Sequence, residues 1–256
     1  MDALTDLLSP SVLLYAACVT LVAGFVKGAV GFAMPLVMIS GISVLVEPRL
    51  VVAGIVLPIL MSNGLQVLRA GLGAAWDAIV DYRRYILIVF VMILISAQFV
   101  TVIPAQTMYL VLGIPVVVLS ALQLLGVRFR IPPHRRTLAD WGLGLASGTL
   151  GGLAGTWGPP TVLYLLALDT PKARQLAVQG VVYGLGSVAL LAGHLQSGVL
   201  NRETLPFSLM LLVPAALGMW VGFQLGDRLD QEKFRKITLI VLIVAGLNLI
   251  RRGLIG

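Results

Sequence analysis

What most restricts this chain is its supply of apolar runs long enough to cross a bilayer. A single transmembrane helix needs about 20 predominantly apolar residues. Six runs meet that length: Leu50–Leu68, Tyr85–Ile103, Thr107–Gly126, Leu176–Leu195, Leu205–Leu225 and Phe234–Ile250. Charged residues make up 11% of the chain, against roughly 25% in a soluble domain. With 59% hydrophobic residues and a mean hydropathy of +1.00, little is left to face water. The sequence therefore predicts an all-α, multi-pass integral membrane protein with no soluble domain large enough to act alone. The formal charge of +7 does not point to nucleic acid, because the basic residues fall in short loops, where they set orientation. The lone cysteine, Cys18, excludes an internal disulfide. The acidic start, MDALTDLLSP, lacks the positive charge of a cleaved signal peptide, so the first apolar run is expected to remain in the mature protein.

Two further runs are too long for one crossing. Ser11–Val46 spans 36 residues, roughly 54 Å as one helix against a hydrocarbon core of about 30 Å. Leu138–Leu168 has the same excess. Each is interrupted by glycines followed by proline, GFVKGAVGFAMP at 24–35 and GTLGGLAGTWGPP at 148–160. Glycine releases the backbone from helical geometry, and proline opens a new helix comfortably. Each run is expected to be two half-helices of about 15 residues joined by an irregular tip. The interruptions are copies: Gly24, Gly28, Gly31 and Pro35 match Gly148, Gly152, Gly155 and Pro159, each pair 124 residues apart. The chain thus divides into repeat 1 (10–126), a basic linker VRFRIPPHRRT (127–137) and repeat 2 (138–252). Each repeat is a broken or re-entrant helix pair plus three spans.

Charge sidedness tests how the repeats are oriented. If each broken run crosses once, the basic residues divide ten to seven. If each returns to the side it entered, thirteen share one side, and only Arg49, Arg202, Arg251 and Arg252 lie on the other. The positive-inside rule favours the second arrangement. It makes the repeats inverted, puts the 127–137 linker in the cytoplasm and puts both termini outside. A re-entrant hairpin and two short full spans remain equally compatible with that count. Irregular backbone at membrane depth must be covered by protein or a wet cavity, so the tips are expected to face the interior.

Inverted repeats with broken helices mark secondary transporters, whose substrate site lies where half-helix ends meet near the midplane. A helix N-terminus favours an anion through its dipole and its free N–H groups. The expected anion-binding residues are Lys27, Gly28 and Gly31 at the first tip, and Gly152, Gly155, Thr156 and Trp157 at the second. Gly24, Pro35, Gly148 and Pro159 are the expected helix breaks. Lys27 is either a fixed positive charge for the anion or a side chain that snorkels to an interface. Trp157 either walls the cavity or marks an interface. Asn63, Gln66, Gln179 and Tyr183 are candidate polar residues of the cavity, although polar groups in spans also join helices to one another. His194 falls near a span end, where an interfacial place suits it better than a proton relay.

The eleven carboxylates all lie outside or at the edges of the spans, so the midplane acid of a proton-driven pump is missing. There is no P-loop, HExxH or GxSxG motif. With two histidines in the chain, a histidine metal cluster is not expected. Neither an enzyme, a cofactor nor a metal is therefore implied.

GFVKGAVGFAMP and GGLAGTWGPP, each opening a repeat, resemble the sulfite exporter TauE/SafE family of membrane proteins, over nearly the whole chain. The resemblance implies movement of a small sulfur-containing anion, such as sulfite or an organosulfonate like sulfoacetate, across the cytoplasmic (inner) membrane, with export the expected direction. Two alternatives stay open: a permease for another small organic anion, and a non-transporting membrane partner subunit. The expected partners are the anion, the lipid bilayer and, as an allowed assembly, a second copy in a homodimer; no nucleic acid is expected.

Overall fold

The computed structural model describes residues 8–102, 104–127, 130–155, 157–168, 170–226 and 231–255. Ten α-helices are described: α1 (Pro10–Val30), α2 (Met34–Ile42), α3 (Pro48–Ala70), α4 (Leu72–Ala97), α5 (Ala105–Leu124), α6 (Arg136–Ala154), α7 (Gly158–Ala167), α8 (Lys172–Gln196), α9 (Leu205–Gly226) and α10 (Gln231–Ile255). No strand occurs among the described residues. Among the described residues, five segments are long and apolar enough to cross a membrane: Pro10–Ala29, Pro48–Ala70, Leu72–Thr101, Ala177–Gln196 and Leu205–Gln224. Leucines, valines and tryptophans that would be buried in a soluble protein stay exposed along these helices, for example Leu87, Val91, Val213 and Trp220. That surface suits lipid.

Both over-long runs break, but not into equal halves. α1 has 21 residues and α2 has 9; α6 has 19 and α7 has 10. At about 1.5 Å per residue, α1 and α6 are of membrane length, while α2 and α7 reach roughly halfway. The first break sits at Gly31, which caps α1 with φ +83° and donates its N–H to the Lys27 carbonyl. The second sits at Gly155, which caps α6 with φ +64°. Only these two of the repeated glycines need the left-handed conformation that glycine alone adopts freely. Pro35 then falls in the first turn of α2 and Pro159 in that of α7, where a missing N–H is no loss. The chain turns back at the first break: α2 returns along α1 until the Gly41 carbonyl accepts the Tyr15 hydroxyl at 3.0 Å.

Gly24 and Gly148 do not break helices. They lie inside α1 and α6, and with Gly28 and Gly152 they form two close helix seams. A Cβ on Gly24 or Gly28 would strike the α9 backbone at Ala215 or Met219, and one on Gly148 or Gly152 would strike α4 near Met92 or Ser96. The α9 side of the first seam is also glycine, with Gly218 against the Leu21 carbonyl and Gly222 against the Phe25 carbonyl. Small residues of this kind let membrane helices approach closely.

The order of contacts along each seam fixes the helix directions. Leu21 and Phe25 meet Gly218 and Gly222 in turn, so α1 runs parallel to α9. Gly144, Gly148 and Gly152 meet Ile88, Val89 and Ile93 in turn, so α6 runs parallel to α4. α3 and α8 are antiparallel, since Asn63 meets Tyr183 and Val67 meets Gly180. α5 and α10 are also antiparallel, since Gly113 meets Gly246 and Gln106 meets Gly253. Arg69, Arg83, Arg84, Arg136 and Arg174 therefore gather at one end, the linker end. Arg49, Arg202, Arg251 and Arg252 lie at the other, where Arg252 donates to the Val44 carbonyl.

α4 begins at Leu72, well before Tyr85, and is kinked at Tyr82 (φ −115°, ψ 17°). Its first turns carry Trp76, Asp77 and Asp81, whose polarity hid them from a reading based on apolar length. α3 contains Pro58, which has no N–H to offer Gly54 four residues earlier. The Ser208 hydroxyl of α9 donates to that carbonyl at 2.9 Å and accepts from the Leu57 N–H at 3.1 Å. This repair holds the middle of α3, with Ile59, Ser62 and Asn63, against the rest of the bundle.

Candidate functional site

The two helix breaks meet inside the bundle. Gly158, at the start of α7, faces Phe32 of the first break and the Tyr183 hydroxyl of α8. The cavity between them is small, about 20 Å³, and is walled by Lys27, Phe32, Ala33 and Pro35 from the first break and Gly155, Trp157 and Gly158 from the second. α3 supplies Ile59, Ser62 and Asn63, and α8 supplies Tyr183.

Lys27 is 3% exposed and points into the interior rather than along the helix to an interface. Its ammonium donates to Asn63 Oδ1 at 2.6 Å and to Gln66 Oε1 at 3.2 Å, and it lies 5.5 Å from the Tyr183 ring centre. The Asn63 Nδ2 in turn donates to the Tyr183 carbonyl at 3.0 Å. Among the described residues no carboxylate pairs with Lys27. An isolated charge in a low-dielectric interior is costly, and amide oxygens and a ring face compensate it only in part. The cavity is thus lined by a buried lysine whose partners among the described residues are all neutral.

The half-helix starts add to this, unequally. Ala33 precedes α2 with φ +78°, the only non-glycine among the described residues with positive φ. That conformation costs an L-residue roughly 1–2 kcal/mol, and such strain is concentrated at functional positions. It turns the chain so that α2 starts at the cavity wall. The first turn of α2 leaves the Met34 and Leu36 N–H groups without an intrahelical acceptor, Pro35 between them having none. α7 has prolines at both 159 and 160, so its first turn offers fewer N–H donors than the sequence pattern suggests.

The remaining candidates separate clearly. Trp157 is 2% exposed; it is a wall of the cavity and not an interface residue, 6.4 Å from Tyr183 between ring centres. Gly31 and Gly155 hold the turns. Gly28 and Gly152 face other helices, away from the cavity, because their helical position points them at α9 and α4. Gln66 reaches the site through Lys27, while Gln179 is buried in α8 without lining the cavity. Thr156 lies outside the described residues, and of Pro159 only the backbone is described. His194 is fully buried, in the last turn of α8. Gln98 joins helices by donating to the Gly193 carbonyl at 3.2 Å. Ser62 and Ala33 were missed. Ser62, Asn63 and Gln66 form a polar stripe at helical spacing in an otherwise apolar span, a pattern that marks Ser62 as a cavity residue.

No group of histidine, cysteine or acidic side chains able to hold a metal occurs among the described residues. Among the described residues the cavity lining holds no acid, base and nucleophile in mutual reach. What the arrangement offers is binding: one buried ammonium, aromatic walls and a helix N-terminus.

Neither a search of curated proteins nor one of solved structures returned a match. A family model does match, that of the sulfite exporter TauE/SafE, over residues 16–249, a range containing both breaks and every wall of the cavity. This family is one of membrane transporters of sulfite and related sulfur anions, not of enzymes, and the span-length helices agree with it. The chain therefore belongs to the sulfite exporter TauE/SafE family.

Proposed function

We propose that this protein is a secondary transporter that exports a small sulfur-containing anion, sulfite or an organosulfonate such as sulfoacetate, across the cytoplasmic membrane. The anion is held at Lys27 between the two helix breaks. One observation carries this reading: a buried ammonium with only neutral partners among the described residues lines a cavity between half-helix ends. An anion supplies the missing counter-charge, and the α2 N-terminus supplies further positive potential. A sulfonate or sulfite oxygen suits a compact ammonium and backbone N–H groups equally well.

The same reading takes the halves of the chain as inverted repeats. Its support is the exchange of packing partners, α1 with α9 and α6 with α4, together with the opposed directions of α3 and α8 and of α5 and α10. Arginines collected at the linker end then make that end cytoplasmic. The two breaks reach the cavity from opposite ends, which suits alternating access around a fixed site.

The experiment is flux of labelled sulfite and sulfoacetate by purified protein in liposomes. Saturable flux by the wild type, lost in Lys27→Gln, is the expected result. Flux unchanged in that variant removes the proposed site, and no flux of either anion removes the proposed substrate class.

A further inference from the structure

A second hollow lies at the linker end, between the kink of α4, the 133–135 turn and the first turn of α6. It holds about 390 Å³ and is lined by Tyr82, Arg83, Arg84, Arg136 and Thr137, with the carboxylates Asp81 and Asp140. The carboxylates are already engaged. Asp81 is ion-paired with Arg174. Asp140 accepts from the Tyr164 hydroxyl at 2.5 Å and is 3.6 Å from Arg84. Arg84 is engaged in return, by Asp140 and by the Thr137 hydroxyl, which leaves Arg83 and Arg136. Arg136 donates to a backbone carbonyl, that of Asp81, at 2.8 Å and lies over the Tyr82 ring at 5.1 Å. Arg83 is exposed, and among the described residues neither it nor Arg136 is ion-paired with a carboxylate. Two guanidinium groups without an ion-paired carboxylate among the described residues, Arg83 and Arg136, thus border a hollow whose two acids already have partners.

A buried polar column joins this hollow to the central cavity. Tyr164, bonded to Asp140, stacks on Tyr85 at 4.2 Å between ring centres. The Tyr85 hydroxyl meets Thr161 Oγ1 at 3.0 Å, and Thr161 and Ser147 both donate to the Trp157 carbonyl, at 2.8 and 2.9 Å. Trp157 is a wall of the central cavity.

We propose that the arginine-lined hollow is a second oxyanion site, which collects a small sulfite- or sulfonate-type anion at the linker end before it moves to Lys27. The forked N–H groups of Arg83 and Arg136 match a tetrahedral or pyramidal oxyanion in two-point geometry. An anionic lipid headgroup presents the same chemistry and is the second source the test separates. The place of the site on a transport route rests on the exporter reading; the site itself does not.

Equilibrium dialysis of labelled sulfite against purified protein in neutral detergent tests it. Two sulfites per wild-type chain are expected, one per chain in Arg83→Gln/Arg136→Gln, and one in Lys27→Gln. Arg136 also packs on Tyr82, so the single variant Arg83→Gln, on an exposed side chain, is measured alongside. It should weaken the outer site about tenfold, the scale of one charge-assisted hydrogen bond. If two sulfites bind in phosphatidylcholine nanodiscs and one in phosphatidylglycerol, the oxyanion site stands and lipid headgroups are its competing occupant. Wild-type stoichiometry and affinity in both arginine variants overturn the proposal. That outcome with one sulfite lost in Lys27→Gln leaves the exporter reading intact, whereas loss only in the arginine variants does the reverse.

Discussion

The Asn63 side chain stands between Lys27 and Tyr183, accepting from the ammonium at 2.6 Å and donating to the carbonyl at 3.0 Å. Its two partners fix which way the amide faces, and they leave the ammonium attached to a neutral acceptor. Lys27 is therefore positioned without a carboxylate partner among the described residues, the arrangement that the proposed anion site calls for.

Removing the charge should remove the binding. Hydrogen bonds involving a charged group contribute roughly 1.5–3 kcal/mol, so Lys27→Ala should weaken sulfite binding by about tenfold to a hundredfold. The variant should still purify as a monodisperse membrane protein. Lys27→Arg should recover only part of the affinity, because the planar guanidinium is wider than the ammonium and Phe32 and Trp157 wall a small cavity. Titration of labelled sulfite on the purified variants measures both.

Neutralising the charge from within should act differently. Asn63→Asp puts a carboxylate where Oδ1 now accepts from Lys27, giving the ammonium a permanent partner. It also faces a carboxylate oxygen toward the Tyr183 carbonyl, where Nδ2 now donates. Transport should fall to background while the protein remains folded, as read by flux and by thermal unfolding in detergent. Normal flux in Asn63→Asp would mean that the anion does not depend on a free Lys27 charge.

The glycine seams predict large effects far from the site. A side chain at Gly222 would meet the Phe25 carbonyl, and one at Gly152 would meet the α4 backbone at Ile93 and Ala97. Backbone cannot step aside as a flexible side chain does, so Gly222→Leu and Gly152→Leu should each destabilise by about 3 kcal/mol or more. Gly64, with open space around it, is the control: Gly64→Ala should leave the melting temperature unchanged or slightly raised, since alanine is the better helix former.

Sidedness is open to direct measurement. In a Cys18→Ser background, a cysteine at Arg130 in the linker should react with a membrane-impermeant thiol reagent only after the cells are opened. One at Ser9, before α1, should react in intact spheroplasts. The reverse pattern would turn the molecule over and make the arginine-rich end external.

The family and the broken helices were legible in the sequence because glycine and proline recur at matched positions in both halves. The roles of the individual glycines were not. Gly24, Gly28, Gly148 and Gly152 share spacing with Gly31 and Gly155, yet the first four serve helix contact and only the last two turn the chain. Glycine is chosen for both purposes, and composition does not separate close approach from positive φ. The unequal arms escaped for a similar reason: hydropathy is blind to where along an apolar run a break falls. Lys27 was visible as a charge out of place, but its partners, on α3 and α8, lie far along the chain. Only the folded contact between the halves shows that the charge meets amides and a ring and not an acid.

Because the breaks approach from opposite ends and meet between them, an anion at Lys27 has crossed only part of the electric field of an energised membrane. The whole drop does about 2.3 kcal/mol of work per charge per 100 mV, and an interior site divides that work between two steps, one before binding and one after. Voltage should then alter the apparent affinity as well as the maximal rate. An inside-negative potential should weaken uptake from the far side and hasten release toward it. In liposomes clamped at a series of potassium diffusion potentials, with no proton or sodium gradient, both parameters are expected to shift. A voltage effect confined to one of them would move the site to a membrane surface, with the two broken helices packed against each other behind it.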